Sequence, residues 1–126
     1  MPTTKPLALL LYEKLLPGSQ LVNRLQDLSY RVQTLSDPGQ LVESAEQAKP
    51  LVVLADLVST RADVTAAIAR LKQHPATHHL PVIAFGGQDD PDRETAARSA
   101  GAALLVSDEA ILAQLPQCLQ QVLQIE

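Results

Sequence analysis

A chain of 126 residues is long enough to close one core and too short for a second of comparable size. Apolar residues make up 46% of it and aromatic residues only 2%, so the core must be built from Leu, Val, Ile and Ala, and there is no series of rings to stack on bases. The formal charge of −4 comes from 10 basic and 14 acidic side chains scattered without a basic stripe, which argues against a nucleic-acid partner.

The chain opens with Met-Pro-Thr-Thr-Lys-Pro and then carries only five apolar residues, Leu7 to Leu11, before Tyr12 and Glu13. That run is too short for a signal peptide or a membrane span, so no membrane association and a cytoplasmic location are expected. Leu7 to Tyr12 is the first of five strand-length apolar runs; the others are Arg31 to Leu35, Leu51 to Leu57, Val82 to Phe85 and Ala102 to Val106. Helical spacing fills the intervals, with Leu21, Leu25 and Leu28 in the first and Leu41, Val42 and Ala45 in the second. Pro17-Gly18-Ser19 opens the first helix, Ser36-Asp37-Pro38 supplies a cap and first turn for the second, and Gly101 ends the fourth. Pro116 would kink a helix interior, so the last helix is predicted to start near Ala113 and to bury Leu115, Leu119, Val122 and Leu123. The alternation predicts one α/β domain over residues 1–126, a doubly wound parallel sheet with right-handed crossovers.

Sites in such sheets lie beyond the carboxyl ends of the strands, where the strand order reverses. The residues at those exits are Tyr12 and Glu13 after the first strand, Asp56 at the third, Gly86 after the fourth and Ser107 after the fifth. A carboxylate closing the run Leu-Val-Val-Leu-Ala is costly to bury unpaired, so Asp56 demands a functional or structural reason. Other candidates are weaker. His74, His78 and His79 sit near Pro75 in what reads as a loop, Gly86-Gly87 lacks the Lys-Ser/Thr of a phosphate loop, and the single Cys118 reads as a small apolar helix residue with no disulfide partner.

The segment Pro50 to Leu57, the ungapped stretch from Ala67-Ile68-Ala69-Arg70-Leu71-Lys72 to Leu80-Pro81-Val82-Ile83, and the turn Ser99-Ala100-Gly101-Ala102 together resemble the response-regulator receiver family, of the CheY-like type. The resemblance covers nearly the whole chain. It implies a five-stranded flavodoxin-like sheet of order 2-1-3-4-5 with helices on both faces, and it places Asp56 at the family's phospho-acceptor position. The rest of the family's machinery is degenerate here. Two acidic residues after the first strand normally help hold Mg²⁺, and this chain offers Tyr12 and Glu13. The reporting hydroxyl of the fourth strand falls on Gly86, the phosphoryl-pairing lysine on Ser107, and the switch aromatic on Leu104. No Lys or Arg occurs from Gly101 to Glu126, so that lysine is missing however the segments are aligned. Any metal would have to rest on Glu13, Asp56 and the carbonyl of Val58, which makes the expected cofactor none, or weakly bound Mg²⁺.

These substitutions imply a pseudo-receiver, a protein-interaction module of signal transduction without a full phosphorylation switch. The expected partner is a histidine kinase or another signalling protein, or a second copy of the chain through the surface of the fourth helix, fifth strand and fifth helix. The alternative is an atypical two-component receiver phosphorylated at Asp56 by a histidine kinase, with Lys14 or Arg61 as counter-charge. Catalysis beyond self-transfer of a phosphoryl group is not expected in either case.

Overall fold

The computed structural model describes residues 6–12, 15–57, 64–86 and 91–123. Three of the apolar runs become strands buried along almost their whole length: β1 (Leu7–Leu11), β3 (Val52–Asp56) and β4 (Val82–Phe85). Continuous burial of this kind requires cover on both faces, which a parallel sheet between helices provides. The edges are held by β2 (Arg31–Leu35), where exposed and half-buried residues mix, and by β5 (Leu104–Val106), half-buried throughout. All pairings are parallel and the order is β2-β1-β3-β4-β5, as expected.

The helices are α1 (Leu15–Asp27), α2 (Leu41–Ala48), α3 (Val64–Gln73), α4 (Pro91–Ala100), α5 (Asp108–Ala113) and α6 (Leu115–Leu123). Because side chains alternate across a strand, the sheet divides the core in two. Leu9, Leu11, Val53, Ala55, Val82 and Ala84 pack with Leu41, Ala45, Ile68, Leu71 and Ala97, from α2, α3 and α4. Ala8, Leu10, Val52, Leu54, Ile83 and Phe85 pack on the other side with Leu21, Leu25, Ile111, Leu115, Leu119 and Val122, from α1, α5 and α6. Cys118 belongs to this second cluster, and burial pushes its thiol up from the usual cysteine range, so it is a poor nucleophile.

Several boundaries differ from the sequence expectation. Helix α1 begins at Leu15, two residues before Pro17, and ends at Asp27. Leu28 therefore falls outside the helix and is 38% exposed, next to Ser29 in the left-handed region at φ 70°. Leu51 precedes β3 and is 45% exposed, and Ala102 precedes β5. Asp37 does cap a turn, its Oδ1 accepting from the Gly39 N–H at 2.9 Å, but that turn is a single 3-10 turn over Pro38–Gln40 ahead of α2. The predicted last helix is two helices. Helix α5 stops at Gln114, and Pro116 lies in the first turn of α6, where its lack of an N–H costs little.

The far end of the sheet is tied together by two polar contacts. Thr77 is buried and its hydroxyl donates to the Leu71 carbonyl at 2.6 Å, which satisfies an acceptor left over at the end of α3. Lys72 runs over Gly101 and donates from Nζ to the Leu80 carbonyl at 2.8 Å, and burial pulls its ammonium below the usual lysine range. Gly101 has φ +115°, and a Cβ on it would lie 2.8 Å from Lys72 Cγ. Gly101→Ala is expected to cost about 1–3 kcal/mol in urea unfolding, since it meets both backbone strain and a clash. In a Lys72→Ala background the penalty should shrink toward the backbone part, with only the Cβ of residue 72, at 3.3 Å, left in contact. An unchanged penalty there would remove the clash from the explanation.

Candidate functional site

The carboxyl ends of the strands bring together residues from four segments. Asp56 closes β3 opposite Phe85 of β4 and is only 3% exposed. Its neighbour Leu57 extends the ladder by donating its N–H to the Phe85 carbonyl at 2.9 Å. The chain then turns at Gly86, which is buried, has φ +81°, and donates its N–H to the Val106 carbonyl at 3.3 Å. This bond fixes the exits of β4 and β5 side by side.

Gly86 is where the site is tightest. A Cβ built on it would lie 3.0 Å from Asp56 Oδ1 and 3.2 Å from Asp108 Oδ1. The positive φ favours glycine, and a Cβ there would also oblige the two carboxylates to give by a few tenths of an ångström. A side chain here would press on the carboxylates.

Asp108 was not singled out from sequence. It is the first residue of α5, and Ser107 fixes it there: the Ser107 hydroxyl accepts from the Ala110 N–H at 2.8 Å and caps the helix. Ser107, aligned with the family's lysine, is therefore engaged in ending β5 and starting α5. Oδ1 of Asp108 is buried and has no hydrogen-bond partner among the described residues. An acidic residue in a first helical turn ordinarily reads as a solvated carboxylate favoured by the helix dipole, and nothing in local spacing places it near β3.

The other predicted positions are dispersed. Tyr12 follows β1, half-buried, with its ring against the second apolar cluster. Leu104 lies in β5 opposite Ile83 and packs against the same cluster, so it serves the core. Of the three groups expected to hold a cation, Asp56 is placed, whereas Glu13 and Val58 lie outside the described residues, as do Lys14, Arg61 and Gly87. No group of three or more His, Cys, Asp or Glu suited to a metal occurs among the described residues. The two carboxylates beside Gly86 nevertheless match the hard oxygen donors that Mg²⁺ takes, because that ion usually keeps several waters and uses one or two carboxylates.

The histidines lie at the opposite end, between α3 and β4. His74 accepts from the Ala76 N–H at Nδ1 and faces Glu46 through Nε2 at 3.6 Å, a surface contact between partly exposed groups. His78 and His79 are exposed and stand edge to face.

No family model matches the sequence, and no curated protein does. Solved structures match over almost the full length. The receiver domain of a sensor histidine kinase from Pseudomonas aeruginosa, which carries a magnesium ion in its active-site cleft, superposes with a TM-score of 0.87 at 21% identity, covering 97% of this chain and 100% of that one. The fold is that of a response-regulator receiver domain. The receiver domain of a diguanylate cyclase from Desulfovibrio desulfuricans gives 0.83 at 20% identity over 96% and 95% of the two chains. The chemotaxis response regulator CheY4 of Vibrio cholerae gives 0.76 at 18% over 90% and 98%. Within this receiver fold, Asp56 and Gly86 occupy adjacent strand exits, and the start of α5 supplies a second carboxylate to the same place.

Gly86→Ser, which puts a hydroxyl at the fourth-strand exit, is expected to destabilise the domain by about 1–3 kcal/mol. Combining it with Asp108→Ala should recover part of that loss in thermal unfolding. The same loss in both backgrounds would mean that Asp108 does not crowd this position.

Proposed function

We propose that this receiver domain acts as a protein-interaction module in signal transduction, with no phosphorylation switch at Asp56. The observation that carries the reading is the approach of the Asp108 carboxylate to Gly86 beside Asp56. A phosphoryl group on Asp56 would add negative charge where a second carboxylate already stands. Like charges brought to one place oppose each other. The compensating cation is missing from the last 26 residues of the sequence, which contain no Lys or Arg, and Ser107 at the lysine position is committed to a helix cap. A hydroxyl-bearing side chain on residue 86 would meet the positive φ and press on both carboxylates.

Signalling partners are supported by the company of the fold, since one similar structure is a domain of a sensor histidine kinase and another a domain of a diguanylate cyclase. The surface of α4, β5 and α5 is the favoured contact. There β5 is a short, half-buried edge strand, and Ala103 before it is exposed. A histidine kinase, another signalling protein or a second copy of the chain would meet it there. No helix among the described residues is long and apolar enough to cross a membrane, and a cytoplasmic location goes with this reading.

The second reading, a receiver phosphorylated at Asp56, draws on one fact: the aspartate is kept at the buried end of β3. Incubation with Mg²⁺ and acetyl phosphate, followed by intact mass, separates the two. The proposal predicts no stoichiometric adduct. An adduct that disappears in Asp56→Asn would establish the second reading in its place.

A further inference from the structure

We propose that the amino-terminal ends of β3 and β4 form a docking groove for an acidic, leucine-bearing segment of a partner protein, with Lys49 as its cation and Leu51 as its apolar contact. Two hollows of about 240 Å³ each meet there along Pro50, His79 and Leu80. One runs to Glu46 and Lys49 at the end of α2, the other to Leu51 and to Leu123 at the end of α6. Backbone bonds fix their floor. The Leu51 N–H donates to the Leu7 carbonyl at 2.8 Å, the Val53 N–H donates to the Pro81 carbonyl at 3.0 Å, and the Leu80 carbonyl accepts from Lys72 Nζ. Leu51 is thus tied to β1 while 45% of it faces solvent, and a groove set in advance loses little freedom when a partner enters.

Charge selects the occupant. The chain has a net charge of −4, yet the ionisable residues lining these two hollows are Lys49, His79 and Glu46. Glu46 is turned to His74, whose Nε2 lies 3.6 Å from its Oε2. Lys49 has no ion-pair partner among the described residues, and the same holds for Arg70, which lines the hollow beyond that contact. Lys49 also stands at the C-cap of α2 with φ 52°, a left-handed conformation in which glycine is the usual residue. Glycine would end the helix there with less strain, but it would bring no ammonium to the groove. Each hollow is smaller than the roughly 300 Å³ at which small-molecule sites begin, so side chains of a peptide segment fit better than a free metabolite. Leucine on that segment would meet Leu51 and Leu123, and its carboxylates would meet Lys49 at the rim, where charge sets partner choice and encounter rate. The groove lies at the far end of the sheet from Asp56 and apart from the surface of α4, β5 and α5, so its failure would leave the interaction-module reading standing.

The test uses two short fluorescein-labelled peptides, one alternating Glu and Leu and one alternating Lys and Leu, followed by anisotropy and amide NMR. The Glu/Leu peptide is expected to bind saturably, with shifts at Lys49, Leu51, His79, Leu80 and Leu123, and to weaken at high salt. Lys49→Glu and Leu51→Ser should each weaken it by about threefold or more. Lys49→Gly separates binding from folding: it should melt at or above the parent, because the left-handed strain is relieved, and still bind about threefold more weakly. Absence of saturable shifts at about 1 mM Glu/Leu peptide would overturn the proposal, as would equal binding of the Lys/Leu peptide or an unchanged affinity in Lys49→Gly. So would shifts at Lys49 and Leu51 without peptide, either with rising protein concentration or in Ile125→Ser, which would give the groove to a second copy or to the chain's own end.

Discussion

The convergence of the Asp56 and Asp108 carboxylates on the open face of Gly86 is the constraint on which the rest of the site depends. The chain leaves β4 there with a positive φ, a side chain on residue 86 would press on both carboxylates, and two acidic side chains reach one face of a single backbone position. A receiver pocket works when a phosphoryl group brings charge into a place prepared with cations and a hydroxyl. Here two acids, Asp56 and Asp108, reach the same place. The backbone at these strand exits follows the common receiver path.

That approach is produced by local structure at the end of the sheet. Ser107 caps α5, which sets Asp108 as its first residue, and the break at Gln114 before Pro116 keeps α5 to six residues. Behind this short helix, Ile111 is buried in the cluster shared with α1 and α6, so α5 is anchored on the same face as those helices. Side chains that packed for stability thus determine where the second carboxylate points. Leu104 belongs to this anchoring as well, a core residue in a position that the family resemblance marked for a moving ring.

The fold was legible because its signals are local and repeated. Five apolar runs, helical spacing between them and the glycine after α4 are each read within a few residues, and burial on both faces of β1, β3 and β4 follows from runs that do not alternate. Asp56 was legible for the same reason, as a carboxylate ending an apolar strand. Leu28 and Leu51 were misplaced because an apolar residue at an element's edge looks the same in sequence whether it is inside or just outside. Asp108 could not be read, since its role arises only when β4 and β5 pair and bring Gly86 against the start of α5. The meaning of Gly86 changed too: from sequence it was an absence, whereas in the structure it is a requirement.

The most direct test of this account is a double-mutant cycle between Asp56→Asn and Asp108→Asn, measured by urea unfolding in metal-free buffer at neutral pH. If the two carboxylates face each other across Gly86, neutralising one should change the effect of neutralising the other, with a coupling free energy of about 0.5–3 kcal/mol in the sense of relieved repulsion. Additive effects of the two substitutions would contradict it, because the carboxylates would then not share the space that defines the site.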